Sequence, residues 1–184
     1  LTALVAREHQ PKPGVQSENP KRTIMMLLRA AFVLLLLLPF APAEAAAPKT
    51  IVFEFYFDNT SPEPTTDAET ARIKKVTDEL RTMLAASKQY DVIPGTVKPY
   101  TSVPDFSQCT SDQVDQAQKA GAQYVACGWV QKVSNLILNL NLIIQDVKTG
   151  KAARGGSVDI RGNTDESWDR GLKYLLDEHV FQNH

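Results

Sequence analysis

Histidine, cysteine and basic excess are all scarce in this chain, and each shortage removes a class of chemistry. Of three histidines in 184 residues, only His179 and His184 lie beyond position 45, both near the C-terminus. A preformed metal centre or an acid–base histidine needs partners at workable spacing, so no metal, no cofactor and no catalytic residue is expected. None of the patterns G-x-G-x-x-G, G-x-x-x-x-G-K-[ST] and G-x-S-x-G occurs, which removes the usual phosphate cradles and the nucleophile elbow. The two cysteines do not form the C-x-x-C of a redox centre. Twenty Lys and Arg stand against 21 Asp and Glu, a net charge of -1, and this balance lacks the basic excess that a nucleic-acid partner calls for. What remains is 43% hydrophobic and 22% charged, the composition of one globular domain with room for a core.

The N-terminal quarter carries an address. Residues 1–24 are polar and proline-bearing without periodicity, and read as upstream over-extension of the reading frame. From Met25 the pattern changes: Arg29, then the apolar run 30–38, then the small-residue stretch APAEAAA at 41–47. That succession is the layout of a secretory signal peptide, 25–45. The run is too short to span a bilayer, which takes about 20 apolar residues. Cleavage between Ala45 and Ala46 satisfies the A-x-A rule through Ala43 and Ala45, and no cysteine beside it is available for a lipid. The expected product, 46–184, loses five basic and three acidic side chains, leaving 15 against 18 and a net charge of -3. No stable membrane insertion is expected after cleavage.

Within 46–184 the hydrophobic spacing predicts a single domain. Residues 51–57 (IVFEFYF) are nearly all apolar, β-branched or aromatic, as in a central strand buried on both faces. Ile73, Val76, Leu80, Met83 and Leu84 then fall at helical spacing over 67–87, with Thr66 or Asp67 as N-cap. A short strand follows at 90–93, a proline-bearing loop at 94–110, a helix at 111–121 and a buried strand at 123–130. In 136–147, Leu136, Leu138, Leu140, Leu142 and Ile144 form one face and Asn139, Asn141 and Gln145 the other. A turn at 148–151 returns the chain through 154–160 as a hairpin. A last helix over 164–180 opens with Asp165, Glu166 and Asp169, which suit the helix dipole. The order is β-α-β-α-β-β-β-α, an α/β (α+β) fold with a mixed sheet and three packed helices.

Candidate sites are few. Asp58 and Asn59 follow the first strand, a position where open sheets bind ligands and where such side chains also cap turns. Asn135, Asn139 and Asn141 share one segment; a solvated face is the default reading, and as a sheet edge it would offer a polar ladder for strand addition. Cys109 and Cys127 form either a structural disulfide, as export would allow, or two separate thiols with Cys127 buried. Trp129 and Trp168 read as core or semi-core. Gly155 and Gly156, inside a strand, mark an edge, a bulge or a close backbone contact.

Residues 128–142 (GWVQKVSNLILNLNL) and 156–168 (GSVDIRGNTDESW) resemble a family of small exported proteins of unknown function, chiefly from alphaproteobacteria. The resemblance spans about 51–176 and brings no catalytic residues. The opening IVFEFYFDNTSPEP, the amphipathic helix, CGWV and the hairpin around 146–150 are similar to the N-terminal domain of TolB-type envelope proteins. That similarity implies a TolB N-terminal-like fold and an assembly or docking role. The expectation is a non-enzymatic periplasmic protein that docks to an envelope protein; the alternative is a small-ligand binder or accessory factor of a periplasmic enzyme system.

Overall fold

The computed structural model describes residues 46–96 and 107–182, together with Gly14. The expected over-extension 1–24 apart from Gly14, the expected signal peptide 25–45, and most of the loop expected at 94–110 lie outside the described residues. Ala45 is among the residues not described; Ala46 is exposed.

Six strands and three helices are described: β1 Lys49–Val52, β2 Tyr56–Asn59, α1 Asp67–Ala86, β3 Asp91–Pro94, α2 Ser111–Lys119, β4 Tyr124–Ser134, β5 Ile137–Asp146, β6 Ala152–Arg161 and α3 Asp165–His179. The sheet runs β3-β1-β4-β5-β6, with β2 also beside β4. β1 lies parallel to β3 and β4, and β2 parallel to β4, while β4, β5 and β6 form an antiparallel meander. This is an α+β fold with a mixed sheet, the class the sequence predicts.

The first strand departs from expectation. Residues 51–57 are not one strand, because Val52 stands opposite Ala126 and Tyr56 opposite Trp129, so three residues on one side face two on the other. The extra residue, Glu54, is exposed, and its insertion turns Phe53 and Phe55 toward opposite faces, as a bulge does. Thr77 of α1 holds the break by accepting the Phe55 amide at 3.0 Å. Gly128 makes room for the ring, since a Cβ there would lie 2.4 Å from Phe55.

Each helix begins with a threonine whose side chain takes an amide three residues on. Thr66 and Glu69 form a reciprocal capping box on α1, Thr110 and Gln113 on α2, and Thr164 and Ser167 on α3, satisfying donors that a helix start leaves unpaired. Helices α1 and α3 pack on one face of the sheet. Ile73, Val76, Leu80 and Leu84 of α1 and Trp168, Leu172, Leu175 and Leu176 of α3 bury against Val52, Phe55, Ala126, Val130 and the inward residues of β5. Helix α2 closes a smaller core on the other face, where Ala117 meets Ile51, Phe53, Val125, Cys109 and Cys127.

A charged pair sits inside the larger packing. Lys132 of β4 and Glu69 of α1 are each 1% exposed and meet at 2.8 Å. Glu69 also accepts from the Thr66 amide at 2.8 Å and from Asn163 at 2.7 Å, and Asn163 accepts from the Trp168 indole at 3.1 Å. Burial pushes the Glu69 carboxyl up, but Lys132 and these hydrogen bonds together outweigh it and hold the group below its ordinary value. The network ties the starts of α1 and α3 to the middle of the sheet.

Two further expectations change. β5 is not an edge, because it pairs with β4 on one side and β6 on the other, so Asn139 and Asn141 cannot receive an added strand. Leu136 is not core: it falls in the β4–β5 turn and is 73% exposed, because the alternation that buries Leu138 to Ile144 begins only once the strand pairs.

Candidate functional site

Side chains alternate across a strand, so residues in register on neighbouring strands share a face. On the face opposite α1 and α3, the register aligns Tyr56, Trp129, Asn141 and Ser157 in one row and Asp58, Gln131, Asn139 and Asp159 in the next. Val133, Ile137 and Arg161 extend it toward the β4–β5 turn, where Leu136 projects. Val133, Leu136 and Ile137 are 50%, 73% and 43% exposed. Exposed apolar side chains at the tip of a long hairpin, beside rows of polar groups, make a surface of mixed character rather than a solvated face.

The rows are ordered by their own hydrogen bonds. Asn139 donates to the Asp159 carboxylate at 3.0 Å and accepts from the Ser157 hydroxyl at 3.0 Å, while Asn141 donates to the Asn139 carbonyl at 3.3 Å. Burial raises the pKa of Asp58 above the usual carboxylate value. Cross-strand bonding of this kind fixes the side chains in place before anything binds.

The sequence candidates separate here. Asp58, Asn139 and Asn141 come together on one surface, although they lie far apart in the chain. Asn59 points to the other face and works as a turn residue, donating to the Glu63 carbonyl at 2.8 Å and accepting from the Ser61 amide at 3.1 Å. Asn135 is not in the rows; it lies in the β4–β5 turn, where its carbonyl accepts from the Asn163 amide at 2.9 Å. Cys109 and Cys127 are joined in a disulfide with Cα atoms 5.6 Å apart, which pins the chain entering α2 to β4. Beside it the Cys109 amide donates to Gln145 at 3.1 Å. Trp168 is core, but Trp129 is half-buried and belongs to the surface. Tyr56, Gln131, Ser157 and Asp159 were not legible as site residues, because their adjacency depends on the registers of β2 with β4, β4 with β5 and β5 with β6.

An open groove of about 590 Å³ borders the upper row, lined by Trp129, Asn141, Ile143, Gly155 and Ser157 among others. Gly155 has φ 144, and a Cβ there would lie 2.3 Å from the Leu142 carbonyl, so no other residue fits without strain. Among the described residues no group of three or more His, Cys, Asp or Glu is placed to hold a metal ion, and no helix is long and apolar enough to cross a membrane.

Several solved structures are similar in fold. The PelC dodecamer from Paraburkholderia phytofirmans aligns with a TM-score of 0.48 at 15% identity, over 73% of this chain and 89% of that one. The LpoB C-terminal domain from Salmonella enterica aligns at 0.45 and 16% identity, over 74% and 95%. TolB from Acinetobacter baumannii aligns at 0.39 and 15% identity, over 65% of this chain but only 24% of that one. No curated protein matches in sequence. At the level of sequence families, residues 48–180 match the one described as "Protein of unknown function (DUF2380)", and the chain belongs to that family.

Proposed function

We propose that the protein is a non-enzymatic docking module of the cell envelope, acting in the periplasm after removal of its leader between Ala45 and Ala46. The observation that carries this reading is the continuity of the exposed apolar tip, Val133, Leu136 and Ile137, with the two ordered polar rows on one sheet face. Apolar patches rimmed by ordered polar groups are the usual anatomy of a protein interface. The disulfide supports the compartment, since such bridges persist where thiols are oxidised.

The test is photo-cross-linking in living cells from a reactive residue placed at Leu136 or Gln131. A discrete partner adduct from both positions, lost on Asn139→Arg in a protein of unchanged thermal midpoint, is the expected result. No adduct from either position in correctly exported protein would overturn the reading.

The groove between Trp129 and Gly155 favours a second reading, a small-ligand binder. A concentration-dependent rise in thermal midpoint with one member of a metabolite panel, abolished by Trp129→Ala, would establish it in place of docking.

A further inference from the structure

The outer strands of the sheet are finished differently, and β2, which pairs only with β4 among the described residues, has just four residues. β3 has four residues and ends at Pro94, which has no amide hydrogen to offer an added strand. β6 has ten residues and no proline, and among the described residues it pairs only with β5. Its ladder with β5 is irregular near Ala153 and regular over 154–161, a stretch of about 27 Å at the usual rise per residue.

Both flanks of this stretch carry a groove, although at Gly156 the His179 ring of α3 closes in, 2.6 Å from where a Cβ would stand. On one side, Gly155 and Ser157 open onto the groove of about 590 Å³ floored by Ile143 and walled by Trp129. On the other, a groove of about 340 Å³ runs between Val158 and Ile160 of β6 and Gly171 and Tyr174 of α3, and Tyr174 is 54% exposed. An added strand sends successive side chains to alternate faces, so the two grooves are where its side chains would go. The charge of the edge selects among strands. Lys151, Arg154 and Arg161 lie on or beside it against Asp159, while Arg170 and Glu166 offset each other in a pair at 3.1 Å. A chain of net charge -1 thus presents a locally basic edge.

We propose that β6 accepts an extended, acidic segment of a partner protein by strand addition over 154–161, with large apolar side chains of that segment seated in the two grooves. The inference deepens the docking reading and rests on it. Main-chain bonds along the edge supply affinity and the alternating grooves supply selectivity, while the arginines favour acidic side chains.

The experiment selects peptides from a displayed random twelve-residue library on the exported, oxidised protein. The winners are then synthesised and mapped by amide hydrogen exchange. The expected winners alternate large apolar residues with Asp or Glu, protect amides within 154–161, and lose tenfold or more affinity on Arg154→Glu combined with Arg161→Glu. Of two N-methylated versions of one winner, each modified at every second residue and offset by one, only one should bind. Winners that protect β3, winners that bind equally well in both methylated forms, or no winners at all would overturn the proposal. The docking reading is judged separately, by adducts from Leu136 and Gln131. Adducts there without protection of β6 would sink the edge and leave docking standing; protection of β6 without adducts would sink the open face as the docking surface and leave the edge in its place.

Discussion

The two faces of this sheet are built from the same strands yet closed by different means. On the face under α1 and α3, Leu138, Leu140, Leu142 and Ile144 of β5 are wholly buried, and the polar intrusion, Lys132 with Glu69, is fully partnered. On the other face, α2 and the disulfide close only the end near β1, and the remainder carries Tyr56, Trp129, Asn139 and Asp159. Stability therefore concentrates on the first face, and the second is left open to change its side chains without threatening the fold. Graded substitutions across the sheet should reveal that gradient.

The largest effect is expected at the buried pair. Glu69→Ala leaves the buried Lys132 ammonium only the exposed Glu63 carboxylate, 3.9 Å away, and should destabilise by about 3 kcal/mol, the low end for breaking one partner of a buried pair. Replacing both, Glu69→Leu with Lys132→Met, should recover much of that, and urea denaturation measures the difference. The pair also gives the protein an acid limit. The Glu69 pKa is depressed in the folded state, so its stabilising contribution is complete above the ordinary carboxylate value of 4.5 and is lost as pH falls through the lower folded value. Unfolding midpoints should fall over that window, and Glu69→Gln should flatten the fall; an unchanged slope would show that other carboxylates set the limit.

An effect of nearly the same size belongs to the partly closed face. Cys109 and Cys127 are 18 residues apart, and opening a loop of that size costs about 3 kcal/mol in the chain-entropy account. Dithiothreitol should lower the thermal midpoint of the native protein and leave Cys109→Ala with Cys127→Ala unmoved. If the reduced and oxidised proteins melt together, α2 holds that end of the sheet without the bridge.

A smaller effect should come from the strand break. Gly128→Ala drives a methyl into the Phe55 ring and should destabilise by about 1–3 kcal/mol as overpacking does. Combining it with Phe55→Leu should recover part of the loss. This site also shows where the sequence stops being readable. The start of α1 was legible because a cap at Thr66 acts over three residues, and β5 because its alternation is local. The break at Glu54 was not, since 51–57 is apolar enough for a strand buried on both faces, and only the pairing with β4 shows that one residue is surplus. The candidate surface failed to show for the same reason. Asp58, Gln131, Asn139 and Asp159 become neighbours through three registers; the turn at 148–151 marks the hairpin of β5 with β6, but nothing in the spacing of the chain marks the pairing of β4 with β5 or of β2 with β4. Leu136 misled because it continues the parity of β5 into the turn, where nothing packs on it.

The smallest effect on stability is expected on the open rows, and that makes them the sharpest probe of the comparison. Ser157 and Asp159 are exposed, and substitutions at such positions usually stay within about 0.5 kcal/mol. Asp159→Lys removes the acceptor for Asn139 and reverses a charge, so it should leave the urea midpoint almost unmoved while altering any adduct formed from Gln131. Asn141 provides the internal control: it is only 8% exposed, and Asn141→Asp places a charge where it is poorly solvated, so it should destabilise measurably more than Asp159→Lys. Equal losses at the two positions would mean that the open face is as tightly built as the helix-covered one. A silent Asp159→Lys in unfolding, paired with a changed adduct pattern, would separate the part of the sheet that holds the fold from the part that meets other molecules.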